Sequence, residues 1–135
     1  MRRVLTIMVI LCFVFPVYSF GDDKFDKEME EILIETSKKI NSQLPMMVDP
    51  DTRLDATMCY KKQLHYKYTM VNYTIDELDI KNFHSEIEAM LTRNQCNNEN
   101  MVKMLMVGIE YYYIYFDKNG ILITTVNIDK RNCDL

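Results

Sequence analysis

Histidine and serine are the side chains in this sequence that could support catalysis, and both are rare. His65 and His84 are its two histidines, and neither has a second metal ligand at the spacing of a metal-binding motif. After residue 21 the serines are Ser37, Ser42 and Ser85, all in segments with a helical pattern and none in a nucleophile-elbow motif. The sequence therefore predicts a protein that is not an enzyme, with no catalytic residues and no cofactor or metal.

Three acids form the one run that suggests a cation. Asp49, Asp51 and Asp55 follow a D-x-D-x-x-x-D pattern, and carboxylate oxygens are the ligands that calcium prefers. The run has neither the central Gly nor the terminal Glu of an EF-hand loop. We interpret these acids as turn residues near the start of a strand.

Methionine is abundant, with 11 in the chain. Thioether sulfurs bind Cu(I), so Met101, Met104 and Met106 raise the alternative of a copper-handling site. Met101 and Met104, however, share a helical face with Leu105, and methionine readily fills irregular spaces in a core. The pattern favours core packing.

Residues 1–21 have the three-part order of a secretory signal peptide. Two arginines precede an apolar run from Val4 to Phe15, and Pro16 and small residues follow it. The run is shorter than the roughly 20 residues that a membrane-spanning helix needs. Cleavage is expected after Ser19 or Gly21, and the second is favoured because a charged segment begins there; an uncleaved anchor is the alternative.

Removal of residues 1–21 changes the charge and defines one domain, residues 22–135. The remaining 114 residues carry 14 basic and 20 acidic side chains, so the net charge changes from −4 to −6. Such a chain is acidic enough to disfavour nucleic acid and anionic membrane surfaces. We expect an exported protein, periplasmic or secreted, with no membrane attachment after cleavage.

The cysteines fit an oxidising compartment. Cys12 lies in the apolar run, and Leu11 occupies the position where a lipidation signal needs a small residue. Of the three pairings open to the other cysteines, Cys96–Cys133 is favoured because both lie in Asn-rich segments outside predicted elements. Cys59 falls within a predicted strand and is expected to act as a small buried hydrophobe. A reactive thiol is the alternative.

Apolar spacing predicts the order α-ββ-αα-ββ. A helical stripe covers residues 23–44, and strands are predicted at 52–60 and 63–73. Helical patterns follow around Phe83 to Leu91 and around Met101 to Leu105. Two β-rich runs separated by DKNG then predict a hairpin. The expected fold is α+β, with an N-terminal helix and a helix pair packed on a four-stranded antiparallel sheet.

Tyrosines are the best candidates for an interaction face. Alternation places a group of them on matching faces of two predicted strands, whereas Tyr112 points the other way. Most of these rings are expected in the core and a minority at a binding surface. The members of the group are Tyr66, Tyr68, Tyr111, Tyr113 and Tyr115.

Several segments together carry a loose resemblance. The signal peptide, the connector LPMMVDPDTRLD, the strand LHYKYTMVNY, the flank of Cys96 and YYYIYFDKNG followed by Cys133 resemble small exported bacterial proteins of uncharacterised function. That resemblance implies a cystatin-like architecture of helix on sheet, and it supports the Cys96–Cys133 pair. It implies no catalytic residue.

Two functions remain open at the level of sequence. The first is a non-enzymatic interaction protein with a protein partner, such as an inhibitor, an immunity-like factor or an envelope accessory factor. The alternative is an exported hydrolase or small-ligand carrier, which requires a concave site with convergent polar groups.

Overall fold

The computed structural model of the protein describes residues 22–135. The predicted signal peptide, residues 1–21, lies outside the described residues. The elements in chain order are α1 (Asp22–Asn41), β1 (Met46–Met47), β2 (Thr52–Tyr60), β3 (Gln63–Met70), a 3₁₀ turn (Ile75–Glu77), α2 (Ile80–Cys96), α3 (Glu99–Met106), β4 (Glu110–Asp117), β5 (Leu122–Ile128) and a second 3₁₀ turn (Lys130–Cys133).

The strands form one five-stranded mixed sheet in the order β1-β2-β3-β4-β5. The α+β class is confirmed, but the prediction of a four-stranded antiparallel sheet is wrong in two respects. The short strand β1 adds an edge beside Leu54 and Arg53, and β3 runs parallel to β4. All other neighbouring strands are antiparallel.

The parallel pair follows from the connection between β3 and β4. This connection contains α2 and α3, which carry the chain back along the sheet before β4 begins. A helical crossover of this length permits parallel pairing, whereas a tight turn would force the strands to be antiparallel. Sequence periodicity identifies the helices but does not specify where they return the chain.

The helices that cover one side of the sheet begin and end at recognisable capping residues. Asp79 caps α2 by accepting a hydrogen bond from the backbone N–H of Asn82. Asn98 caps α3 in the same way, accepting from Asn100 and Met101. Gly108, at φ +87°, follows α3 in the left-handed conformation that glycine adopts without strain.

The core lies between the sheet and the helices. It is formed by fully buried side chains from α1, α3, β5 and the residue before β4, and the largest apolar ones are Leu33, Leu105, Ile109, Val126 and Ile128. The opposite side of the sheet, here called the open face, has no helix packed on it within residues 22–135. None of the helices in this range combines the length and the apolar character that a bilayer span requires.

Candidate functional site

The parallel pair β3–β4 brings the five predicted tyrosines together. Tyr66 is level with Tyr113, and Tyr68 is level with Tyr115. Because side chains alternate between the faces of a sheet, these rings and Tyr111 all lie on the side covered by helices. Neighbouring rings stack, with centroids 5.2 Å apart for Tyr66 and Tyr113 and 5.1 Å for Tyr68 and Tyr115.

The five tyrosines differ in exposure. Tyr111, Tyr113 and Tyr115 on β4 are buried, with 2–5% of their surface exposed. Tyr66 and Tyr68 on β3 are only half-buried. The structure thus places three of the predicted residues in the core and leaves two with a surface available to a partner.

The exposure of β3 results from where the helices pack. Helix α1 packs against β2, where the Ser37 hydroxyl hydrogen-bonds to that of Thr57 at 2.8 Å. Helix α2 packs against β5, where a ring nitrogen of His84 lies 2.7 Å from the Thr124 hydroxyl. Strand β3 therefore lies beneath the space between α1 and α2, whereas β4 is covered. We call this space, with Tyr66 and Tyr68 at its floor, the tyrosine groove.

Helix α1 supplies one wall of the groove. With buried Leu33 directed at the sheet, the 100° advance per residue places Glu30 and Asn41 on one flank of α1. These two side chains hydrogen-bond to the turn after β2 and to its outer edge. The opposite flank carries Phe25 and Ile32, exposed by 44% and 52%, together with exposed Thr36 and Lys39.

Helix α2 supplies the other wall. Phe83 packs edge-on against Tyr115, with ring centroids 5.6 Å apart, and Ile87 is half-buried beside it. Met90 continues this stripe and is 42% exposed.

The groove is apolar and uncharged at its floor. Burial raises the pKa of Tyr66 and of Tyr68 to about 12, and it raises the pKa of Tyr113 further. These hydroxyls therefore stay protonated at physiological pH. The Tyr113 hydroxyl accepts a hydrogen bond from the side-chain amide of Gln95, which is itself buried. The floor offers aromatic faces and neutral hydroxyls to a partner.

The predicted catalytic alternatives do not assemble at the groove. The nearest to a nucleophile–base–acid series is Thr124, His84 and Glu88 on the β5 side. The Glu88 carboxylate lies 3.8 Å from His84, beyond hydrogen-bond distance, so it does not orient the imidazole. His65 is on the open face, where it stacks on Tyr112 at 4.6 Å and burial lowers its pKa.

The candidate metal ligands are occupied by protein donors or separated. Asp49 accepts from the backbone N–H groups of Asp51 and Thr52, as expected of a turn residue. Asp55 accepts from Arg53 and Thr69. Within residues 22–135, no three His, Cys, Asp or Glu side chains come close enough to hold a metal ion.

The methionines of α3 divide between its two sides. Met101 and Met104 pack partly buried against the core, whereas Met106 is 65% exposed. A position five residues from Met101 lies on another side of the helix, so the three thioethers do not face one point. The arrangement is that of core filler with one exposed member.

Cys96 and Cys133 lie at disulfide distance, with Cα atoms 5.4 Å apart. They connect the end of α2 with the C-terminal 3₁₀ turn. Cys59 is half-buried on β2, and its thiol points at the carbonyl of Lys61 at 3.4 Å. Burial and then the nearby Glu30 raise the pKa of the Cys59 thiol, which disfavours the reactive thiolate.

The sequence analysis does not predict the open face as an exposed apolar surface. It presents Met58, Lys67, Ile114 and Phe116 around a shallow depression of about 290 Å³. The Lys67 ammonium lies 5.0 Å from the centre of the Phe116 ring. The signal was present in β4, whose outward positions Tyr112, Ile114 and Phe116 are as apolar as its inward ones.

Comparison with known proteins shows similarity in fold alone. No family model matches this sequence, and no curated protein matches it. A protein of Pseudomonas aeruginosa, provisionally described as secreted, is 16% identical with a TM-score of 0.69; the alignment covers 80% of this chain and 95% of that one.

Two pilotins of type II secretion systems share the fold. EpsS from Vibrio vulnificus is 14% identical with a TM-score of 0.68, and AspS from Vibrio cholerae is 13% identical with a TM-score of 0.63. Each alignment covers 82% of this chain and 96% of the pilotin. These similarities concern the fold; export stays an expectation from the sequence, and the cystatin-like architecture stays a prediction.

Proposed function

We propose that this protein is an exported, non-enzymatic accessory protein that binds a protein partner in the tyrosine groove. The observation that carries the proposal is the pair of half-buried rings, Tyr66 and Tyr68, between two helices that also carry exposed apolar side chains, Ile32 on α1 and Met90 on α2. Aromatic rings with restricted rotamers are the side chains that most often anchor protein interfaces.

Export is supported by the sequence of residues 1–21 and by the described neighbours. The neighbours of similar fold include a protein described as secreted and two secretion-system pilotins. Among the roles that the sequence leaves open, this likeness favours an envelope accessory factor over an inhibitor or an immunity-like factor. The net charge of −6 after cleavage supports a protein partner rather than nucleic acid.

Site-specific photo-crosslinking in the cell envelope tests the groove. A photoreactive amino acid replaces Ile32, which is exposed on the groove flank of α1. The matched control replaces Ile34, which is 36% exposed but lies on the opposite flank of the same helix. We expect a discrete cross-linked product from position 32 and none from position 34.

The identity of the cross-linked protein separates the roles. A component of a secretion or assembly system supports the accessory role. A toxin or a protease would replace that role with an immunity or inhibitor function. Equal products from both positions, or no product from either, would show that the groove is not the binding site.

The second candidate, a hydrolase, is favoured only by the contact of the Thr124 hydroxyl with His84. If that contact is catalytic, the purified protein hydrolyses ester or peptide substrates and His84→Ala abolishes the activity. We expect no activity in either protein, because the group of residues 22–135 that lies beside the other imidazole nitrogen, the Glu88 carboxylate, is 3.8 Å away and beyond hydrogen-bond distance.

A further inference from the structure

The two edges of the sheet are protected very differently. An edge strand exposes unpaired N–H and C=O groups, and native proteins usually blunt such an edge with charges, proline, bulges or covering segments. One edge of this sheet, formed by β1 and β2, is closed. The other, β5, has one of these devices, a bulge at Ile123 where the register with β4 shifts. From Thr124 to Ile128 it has no charge, no proline and no bulge.

Side chains and a short strand close the β2 edge. Strand β1 pairs with Leu54 and Arg53. Farther along, the Asn41 side chain bonds both backbone groups of Thr57: its amide donates to the Thr57 carbonyl at 2.8 Å, and its oxygen accepts from the Thr57 N–H at 2.7 Å. Asn41 therefore occupies the position that a neighbouring strand would take.

The β5 edge has no equivalent. In the part of the chain that the structure describes, strand β5 pairs only with β4, and none of the hydrogen bonds made outside the ladder involves a backbone group of residues 123–128. The segment 121–128, ILITTVNI, contains no charge, no proline and no glycine. Ile121 and Leu122 at its start are 50% and 51% exposed.

We propose that β5 pairs antiparallel with β5 of a second copy of this chain, joining two five-stranded sheets across a two-fold axis. A two-fold interface requires a self-complementary surface, and an uncharged strand meets this condition because no like charges come opposite each other. The chain as a whole is acidic, so copies repel elsewhere, and this strand is a place where they approach without that cost.

The two-fold axis passes beside Thr125, the middle residue of β5. Thr125 is exposed on the open face, level with Ile114 of β4. In a pairing centred there, Thr125 lies opposite its symmetry mate, and a pair of β-branched threonines is favourable in a sheet. Helix α2 covers the other face of β5, so the edge itself stays open to the second copy.

The oligomeric state of the protein, produced from its full-length gene and purified from the envelope after natural processing, tests this pairing. Sedimentation and light scattering should give twice the monomer mass. Thr125→Lys should halve that mass, because the two new ammonium groups would face each other across the axis. The control Met58→Lys adds the same charge to an exposed site on the open face at the opposite edge, and it should leave the dimer intact.

A second measurement does not depend on how well Thr125→Lys folds. Thr125→Cys should form a covalent dimer that reductant separates, and Met58→Cys should not. A protein that is monomeric across a wide concentration range overturns the proposal. A dimer lost with Met58→Lys but kept with Thr125→Lys also overturns it, since the open face would then be the interface. The proposal is independent of the tyrosine groove.

Discussion

Asp117 shows how one residue organises a region of the molecule. Its side chain has no exposed surface. It accepts hydrogen bonds from the backbone N–H groups of Asn119 and Ile121 in the β4–β5 turn and from Ile75 in the first 3₁₀ turn. Burial alone would raise the pKa of Asp117, but these hydrogen bonds outweigh it and lower the pKa below its usual value.

The protein should therefore lose stability in acid. A carboxyl group with a lower pKa in the folded state contributes stability that is complete above the unfolded pKa, about 4, and is lost as pH falls through the folded value. Asp129, through its hydrogen bonds from Arg131, shifts in the same direction. For the natural protein, the free energy of unfolding measured in urea should be much smaller below pH 4 than at neutral pH.

The variant Asp117→Asn isolates the contribution of Asp117. It should be less stable at neutral pH, because an amide nitrogen in place of one carboxylate oxygen cannot accept from a backbone N–H. The decrease in its free energy of unfolding between neutral and acid pH should be smaller than that of the natural protein. An identical decrease in both proteins would mean that Asp117 does not titrate with folding.

At the scale of elements, the junction of α1 with β2 depends on the edge contacts of Asn41. Asn41→Ala removes the side-chain amide that donates to the Thr57 carbonyl and the oxygen that accepts from the Thr57 N–H. We therefore expect a loss of about 1–3 kcal/mol in the free energy of unfolding. Faster hydrogen exchange of the Thr57 amide should accompany this loss. Lys38→Ala, an exposed change on the same helix, serves as the control and should alter neither quantity. Unchanged exchange at Thr57 in Asn41→Ala would contradict the assigned role.

The parallel pairing of β3 and β4 is the element-scale feature that creates the groove floor. In an antiparallel arrangement the register of the tyrosines would differ, and Tyr66 would not stand level with Tyr113 as it does here. The stack of rings is therefore a consequence of the crossover through α2 and α3. We expect substitutions that destabilise this crossover to expose Tyr113 and Tyr115 together.

For the whole molecule, the cysteine pair is the main covalent constraint that we predict. Cys96 and Cys133 are separated by 37 residues, and a bridge across such a loop stabilises a protein by about 3–5 kcal/mol in the chain-entropy model. Unfolding with and without reductant should differ by this amount, and the double variant Cys96→Ala/Cys133→Ala should be insensitive to reductant. Mass mapping that links Cys59 to either cysteine would refute the pairing.

The sequence by itself was sufficient to predict the type and order of most elements. Helical and strand periods are local properties, so β2 was predicted with its observed bounds and the β4–β5 hairpin was predicted from DKNG and its flanks. The same local patterns placed the five tyrosines on matching strand faces. They also place Cys96 and Cys133 in polar segments outside regular elements, whereas Cys96 is the last residue of α2 and Cys133 ends the second 3₁₀ turn.

Only the tertiary structure decided which strands are parallel, which edges are covered and which tyrosines are exposed. These features depend on the path of a long crossover and on the spacing of α1 and α2, which are far apart in the sequence. Tyr66 and Tyr113 are separated by 47 positions, and their stacking follows from strand order, which local periodicity does not encode. The groove arises because α1 packs on β2 and α2 on β5, so that the rings between them remain partly uncovered.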